Sequence, residues 1–130
     1  VRKDHSTITG NSVSIEQYMS SSHMVMSGHE NGSGLIDSYI RELGLKRKVS
    51  LIMPNFLSVP RILTKSDLVF SAAQTLAEHF VQFAPLKMMP FPINCPNLDL
   101  IMVWHPQQEK EPAHEWLRQQ IFETSNKLKG

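Results

Sequence analysis

The chain has 130 residues, 41% hydrophobic and 19% charged, with 13 Lys and Arg against 12 Asp and Glu and a formal net charge of +1. This is the composition of one small soluble globular domain, and the near-neutral balance leaves no electrostatic footprint for nucleic-acid binding by these residues. No apolar run approaches the ~18 residues of a membrane span, and Val1 to His5 lead into polar residues where a secretion signal would have an apolar core.

In chain order, Val1 to Lys3 reads as the end of a strand and Asp4 to Asn11 as turn chemistry. Ser14 is a cap for a short helix with Ile15, Tyr18 and Met19 on one face. His23 to Met26 is a short apolar strand, and the Gly- and Ser-rich stretch after it is a loop. Leu35, Ile36, Tyr39, Ile40 and Leu43 recur at helical spacing over Gly34 to Leu43, with Gly44 as the stop.

Strand Val49 to Met53 runs into Pro54, where the chain turns at Asn55 and Phe56. The next helix, Phe56 to Lys65, carries Pro60 and is therefore expected to start properly only near Ser58. Asp67 to Ser71 is a third strand. Ala72 to Phe83 is an amphipathic helix with Ala73, Leu76, Ala77, Phe80 and Val81 on one face. Leu86 to Met89 and Leu98 to Trp104 read as strands separated by a proline-rich connection, and Pro112 opens a last helix with Ala113, Trp116, Leu117, Gln120 and Ile121 facing inward. Strand and helix in alternation predict an α/β fold with a largely parallel sheet.

In such a sheet the carboxyl ends of the strands meet the first turns of the helices at a crevice where backbone N–H groups can hold an anion. The corner at Pro54, Asn55 and Phe56 fits that description, with Asn55 as an N-cap candidate and Phe56 as an aromatic wall. It is expected to bind a small molecule and do no chemistry on it.

Other constellations carry less. Among six histidines, no pair has the helical i, i+4 spacing of a zinc enzyme. His23, at the start of a strand beside the crevice, is read either as structural or as a neutral donor to a ligand carboxylate. The single cysteine, Cys95, cannot make an internal disulfide and has no partnered base in the sequence. Asn31-Gly32-Ser33 matches a glycosylation acceptor but reads as a flexible loop, and that loop lacks the lysine and register of a P-loop. No metal and no cofactor are expected.

Taken in order, Pro54-Asn55-Phe56, Pro60-Arg61-Ile62-Leu63, Ser66-Asp67-Leu68, Trp104-His105 and the block from Glu111 to Arg118 resemble the carboxyl-terminal part of LysR-type transcriptional regulators, in the branch of the nodulation and naphthalene-degradation activators. The resemblance extends over essentially the whole chain. It implies a periplasmic-binding-protein-like effector domain: residues 1 to 86 as most of its second subdomain, and 87 to 130 as the crossing, strand and helix that return to complete the first. The inducer would lie between two α/β subdomains. Carried over position by position, the effector-binding places are His23, Pro54, Asn55, Phe56, Phe70, Ser71, Met102 and Val103. Asn55 departs from relatives that carry His there, which weakens any assignment to an aromatic-acid inducer such as salicylate.

The implied ligand is a small organic effector, an anion among the options. The other implied partner is a second copy of the chain, in a dimer or higher homo-oligomer. DNA would be reached only through an amino-terminal winged helix-turn-helix that these residues do not contain, and the setting would be the bacterial cytoplasm. Trp116, Leu117, Ile121 and Phe122 would be exposed and are expected to be covered by a partner chain, by domain swapping or by repacking of the tail. Two alternatives share the architecture: a solute-binding protein of a transport system, and a small α/β hydrolase or transferase.

Overall fold

The computed structural model describes residues 1–27, 35–95 and 101–127. Two compact units divide at Asn97 and Leu98.

The first unit is built on a three-stranded parallel sheet of order β2-β1-β3, with β1 at Ser22–Met26, β2 at Lys48–Met53 and β3 at Leu68–Phe70. Residues alternate across it because successive side chains of a strand point to opposite faces. On one face Val69 joins Ile8, Tyr18, Ile40 and Ile93 in a buried cluster. On the other, Met24 joins Val59, Leu63 and Leu86, with Leu68, Phe70 and Phe80 packed around them. β2 carries one extra residue, Ser50, opposite the step from His23 to Met24, so Leu51 and Met53 rejoin the second cluster after the irregularity.

Local signals set the helix ends. Helix α1 (Ile15–Ser20) starts in a capping box: the Ser14 hydroxyl accepts from Gln17 N and the Gln17 side chain accepts from Ser14 N. Helix α2 (Leu35–Glu42) ends in a Schellman turn, Gly44 N donating to Arg41 O and Leu45 N to Ile40 O, with Gly44 at φ 72° where a side chain would be strained. Helix α3 (Val59–Leu63) begins after Ser58, as Pro60 requires, because proline fits only the first turn. Helix α4 (Gln74–Phe83) buries no residue fully but leans Phe80 and Val81 on the second cluster.

The expected strand at Leu86–Met89 reduces to Leu86, which pairs with Arg2 in an isolated antiparallel bridge. Around it Lys3 N donates to Pro85 O and Lys87 N to Val1 O. Pro85 and Pro90 supply no N–H, so the ladder stops there. Part of the expected strand Leu98–Trp104 lies outside the described residues, and residues 101 to 104 form no strand.

In the second unit a 3₁₀ turn at Pro106–Gln108 leads into helix α5 (Pro112–Lys127). Arg118 closes the turn onto the helix: it donates to Gln108 O, Glu109 O and His114 Nδ1, and its guanidinium lies 4.7 Å from the centre of the Trp104 ring. The face expected to point inward is open, with Trp116 65% and Ile121 47% exposed. Among the described residues no helix is long and apolar enough to cross a membrane.

Candidate functional site

The corner predicted after β2 stands at the carboxyl edge of the sheet. Pro54 and Asn55 are exposed, and Phe56 keeps 38% of its surface accessible while its ring meets Phe70 at the end of β3 in an edge contact, centroids 6.3 Å apart. β2 and β3 flank β1, so this contact spans the carboxyl end of the middle strand. Phe70 continues the aromatic run to Phe80, 6.4 Å away. Contacts between rings at these distances add ~1 kcal/mol beyond area burial.

The corner's backbone differs from the expected anion cradle. Asn55 does not cap α3; its Oδ1 accepts from Leu57 N, two residues on, as a short Asx turn. Ser58 holds the N-cap position, in a helical conformation and with no side-chain cap bond. Val59 N donates to Phe56 O, so two of the amides an anion would need are already used within the turn.

His23 lies inside the sheet, fully buried, with Nε2 2.7 Å from Tyr18 O. A carbonyl accepts, so Nε2 carries the proton. Burial lowers the pKa of the imidazole and keeps it neutral. Its one N–H is spent on the carbonyl, which leaves none for a ligand carboxylate, the second of the two readings of this residue. Among the described residues Nδ1 has no hydrogen-bond partner.

Beside His23 is a network that periodicity does not reveal. Arg47, 7% exposed, grips Asp37 of α2 with two parallel bonds, Nε to Oδ1 at 2.7 Å and Nη2 to Oδ2 at 2.8 Å. Its Nη1 donates to the Tyr18 hydroxyl at 3.0 Å, and that hydroxyl is 2.8 Å from Ser71 Oγ, one residue past β3. The bonds to Asp37 raise the Arg47 pKa against the opposing effect of burial. Arg47 sits in a Lys-Arg-Lys run just before β2, and its partner Asp37 sits in the first turn of α2.

Met102 and Val103 belong to the second unit, where both are exposed. A shallow concavity lies at the amino ends of β1 and β3, lined by His5, Ser22, Ser66 and Asp67 among others. Among the described residues no group of three or more His, Cys, Asp or Glu is placed to hold a metal ion.

The fold has counterparts in known proteins. The chain is 32% identical over 122 residues to the HTH-type transcriptional activator NahR of Pseudomonas putida, covering 94% of this chain and 40% of NahR. It is 26% identical over 112 residues to nodulation protein D 2 of Rhizobium tropici, covering 85% of this chain and 36% of that protein. The solved regulatory domain of MexT, a transcriptional activator in Pseudomonas aeruginosa, superposes with a TM-score of 0.78 at 26% identity, over 92% of this chain and 57% of that one. Over nearly its whole length the chain is similar to LysR-type transcriptional regulators. No protein-family model matches it.

The likeness to that regulatory domain and the parallel sheet give the class of the fold: mixed α/β, as in the periplasmic-binding-protein-like effector domains of these regulators. The chain spans about 40% of the length of NahR and of the transcriptional activator NagR of Ralstonia sp. Those relatives are regulators and not enzymes, so the hydrolase or transferase alternative falls away.

Proposed function

We propose that this chain is the effector-sensing part of a bacterial LysR-type regulator, and that the Pro54-Asn55-Phe56 corner, with Phe70 and Ser71, forms one wall of its site for a small organic inducer. The observation that carries the reading is the contact from Phe56 to Phe70 across the carboxyl edge of a parallel sheet. That edge is where open α/β sheets bind ligands, and the partly exposed Phe56 face offers a planar apolar surface there. NahR is a transcriptional activator, and a regulatory domain of the same fold has been solved, which supports a sensing role over a transport role.

In the longer protein the inducer would act by population shift. A ligand that binds one arrangement of the effector domain better than another favours it by the difference in affinity, and no ligand moves the equilibrium further than that. DNA binding through an amino-terminal winged helix-turn-helix, assembly into dimers or larger homo-oligomers and a cytoplasmic location belong to the same proposal.

The test is a thermal-shift screen of small organic acids and their amides against this chain and its Phe56→Ala variant. Compounds that raise the melting temperature of the parent are expected to leave the variant unmoved. Equal shifts in both would remove the corner from the site.

A further inference from the structure

His5 is 4% exposed, and its ring ties a loop to the sheet. Nε2 lies 3.1 Å from Asp67 O, just before β3, and a carbonyl only accepts, so Nε2 carries the proton. Nδ1 is then an acceptor, and it takes the amide protons of Thr7 at 3.3 Å and Ile8 at 3.2 Å. The loop of residues 5–8 is thus pinned to the start of β3 by one tautomer of a neutral imidazole. It holds Ile8, 1% exposed, in the cluster with Tyr18, Ile40, Val69 and Ile93. Thr7 O accepts from Gln17 Nε2 of α1 at 3.5 Å.

A second proton has its place on Nδ1, where it would face two amide hydrogens. Both bonds are then lost at once, and an amide buried without an acceptor is costly. The loop can escape that cost, because Ser6, Thr7, Thr9 and Gly10 are exposed and an outward movement brings its amides to water. The Thr7 hydroxyl, 3.5 Å from Nδ1, is an oxygen to which the charged ring can donate. The sheet does not depend on the loop: β1 pairs with β2 along Ser22–Met26, and the cluster of Met24, Val59, Leu63 and Leu86 contains no residue of it.

We propose that His5 is an acid-sensitive latch: the neutral ring holds the loop of residues 5–8 at the start of β3, and a proton on Nδ1 releases the loop while the sheet stays folded. The closed loop is complete when the ring is neutral and is lost as pH falls and the ring becomes charged. The charged groups around the latch are Arg2, Lys3 and Asp4 on its own segment and Asp67 on the β3 side, where Arg2 Nε and Ser6 N both bond to Oδ1. From the segment after α4, Lys87 Nζ donates to Ile8 O and Gly10 O. The ends of α1 and β1 contribute Ser20, Ser21 and Ser22, which carry no charge. Histidine is the side chain whose charge ordinarily changes between about pH 5 and pH 8. Two other groups near cluster and loop change charge close to this range: the Val1 amine, lowered by burial and then by Lys87, and His23 beside Tyr18, lowered by burial. Both stay as they are in a variant at position 5, which separates them from the latch.

The experiment is a titration of the 130-residue chain from about pH 8 to about pH 5 by nitrogen-15 NMR. It reads the imidazole nitrogens of His5, the protection of the Thr7 and Ile8 amides against hydrogen exchange, and the protection of the β1 amides. At the alkaline end His5 is expected as the Nε2–H tautomer. As the ring becomes charged, the protection factors of Thr7 and Ile8 should fall about tenfold or more, the loss that giving up two hydrogen bonds implies, while the β1 amides keep theirs. His5→Asn offers the same two amides an oxygen that takes no proton, and should hold their protection level over the whole range. An equal fall in this variant would assign the release to Val1 or His23 and overturn the latch. Three results in the parent overturn it as well, whether or not the variant folds. One is a charged His5 with Thr7 and Ile8 still protected. The second is a His5 that stays neutral to the acid end of the titration, and the third is loss of protection in β1 together with the loop.

Discussion

Arg47 and Asp37 meet in a two-point ion pair whose side chains are only 5% and 15% exposed, joining the residue before β2 to the first turn of α2. Removing one partner of such a pair strands a buried charge, which costs far more than the pair contributes against apolar replacements. Arg47→Met alone is expected to lower the unfolding free energy by ~3 kcal/mol, and the double variant Arg47→Met/Asp37→Leu by distinctly less. Urea denaturation of the four proteins of the cycle checks this. Equal losses in single and double variants would show that the charges are not buried against each other.

Asp67 makes a prediction about acid. The Arg2 guanidinium, 2.7 Å away, and bonds from Ser6 hold its pKa down from 3.8 to about 2. A carboxyl depressed in the folded state contributes stability that is present above its unfolded pKa and is lost as pH falls through the folded value. The urea midpoint should therefore drop between about pH 4 and pH 2, and Asp67→Asn should flatten this part of the curve while lowering the midpoint at neutral pH. A variant with the parent's acid limb would remove Asp67 as its cause.

The alternation of strands and helices was readable because each apolar face repeats along the chain with its own period, and because Ser14, Gly44 and Pro60 mark element ends by local chemistry. The polar network was not readable in the same way. Arg47 is buried only because Asp37 and Tyr18, distant in sequence, close around it, and no window on either side of Arg47 contains that fact. Leu86 to Met89 misled for the opposite reason: its apolar residues are real, but with prolines on both sides they bury Leu86 without building a ladder. At the site, the aromatic wall was legible in the residue types of the corner. The residue types left His23 open between a structural and a ligand role, because the contact that takes its N–H, Tyr18 O, is set by the fold of α1 onto β1.

His23 gives a prediction with a spectroscopic signature. Burial lowers its pKa, so the neutral form belongs to the fold, and its contribution to stability is present above the unfolded value of 6.5 and lost as pH falls below it. Nitrogen-15 NMR of the imidazoles should find His23 as the Nε2–H tautomer, unprotonated under conditions where exposed histidines are charged. His23 titrating together with the exposed histidines would contradict its burial.

The second unit offers a test that needs no ligand. Arg118 donates to Gln108 O at 3.1 Å, Glu109 O at 2.8 Å and His114 Nδ1 at 2.9 Å while its guanidinium faces the Trp104 ring. Trp104 Nε1 in turn donates to the Glu109 side chain. A planar fork can satisfy carbonyls and a ring nitrogen while stacking on an indole; an ammonium can do one or the other. Arg118→Lys should therefore behave much like Arg118→Ala: the helix persists by circular dichroism, while Trp104, read in a Trp116→Phe background, gains solvent exposure and its emission moves to the red. The tryptophan contact itself is a surface interaction of about 0.5–1 kcal/mol, so the change should appear in the environment of Trp104 more than in the melting temperature. Lysine at this position with unchanged Trp104 emission would mean that charge alone holds the turn, and that the forked geometry of Arg118 is incidental.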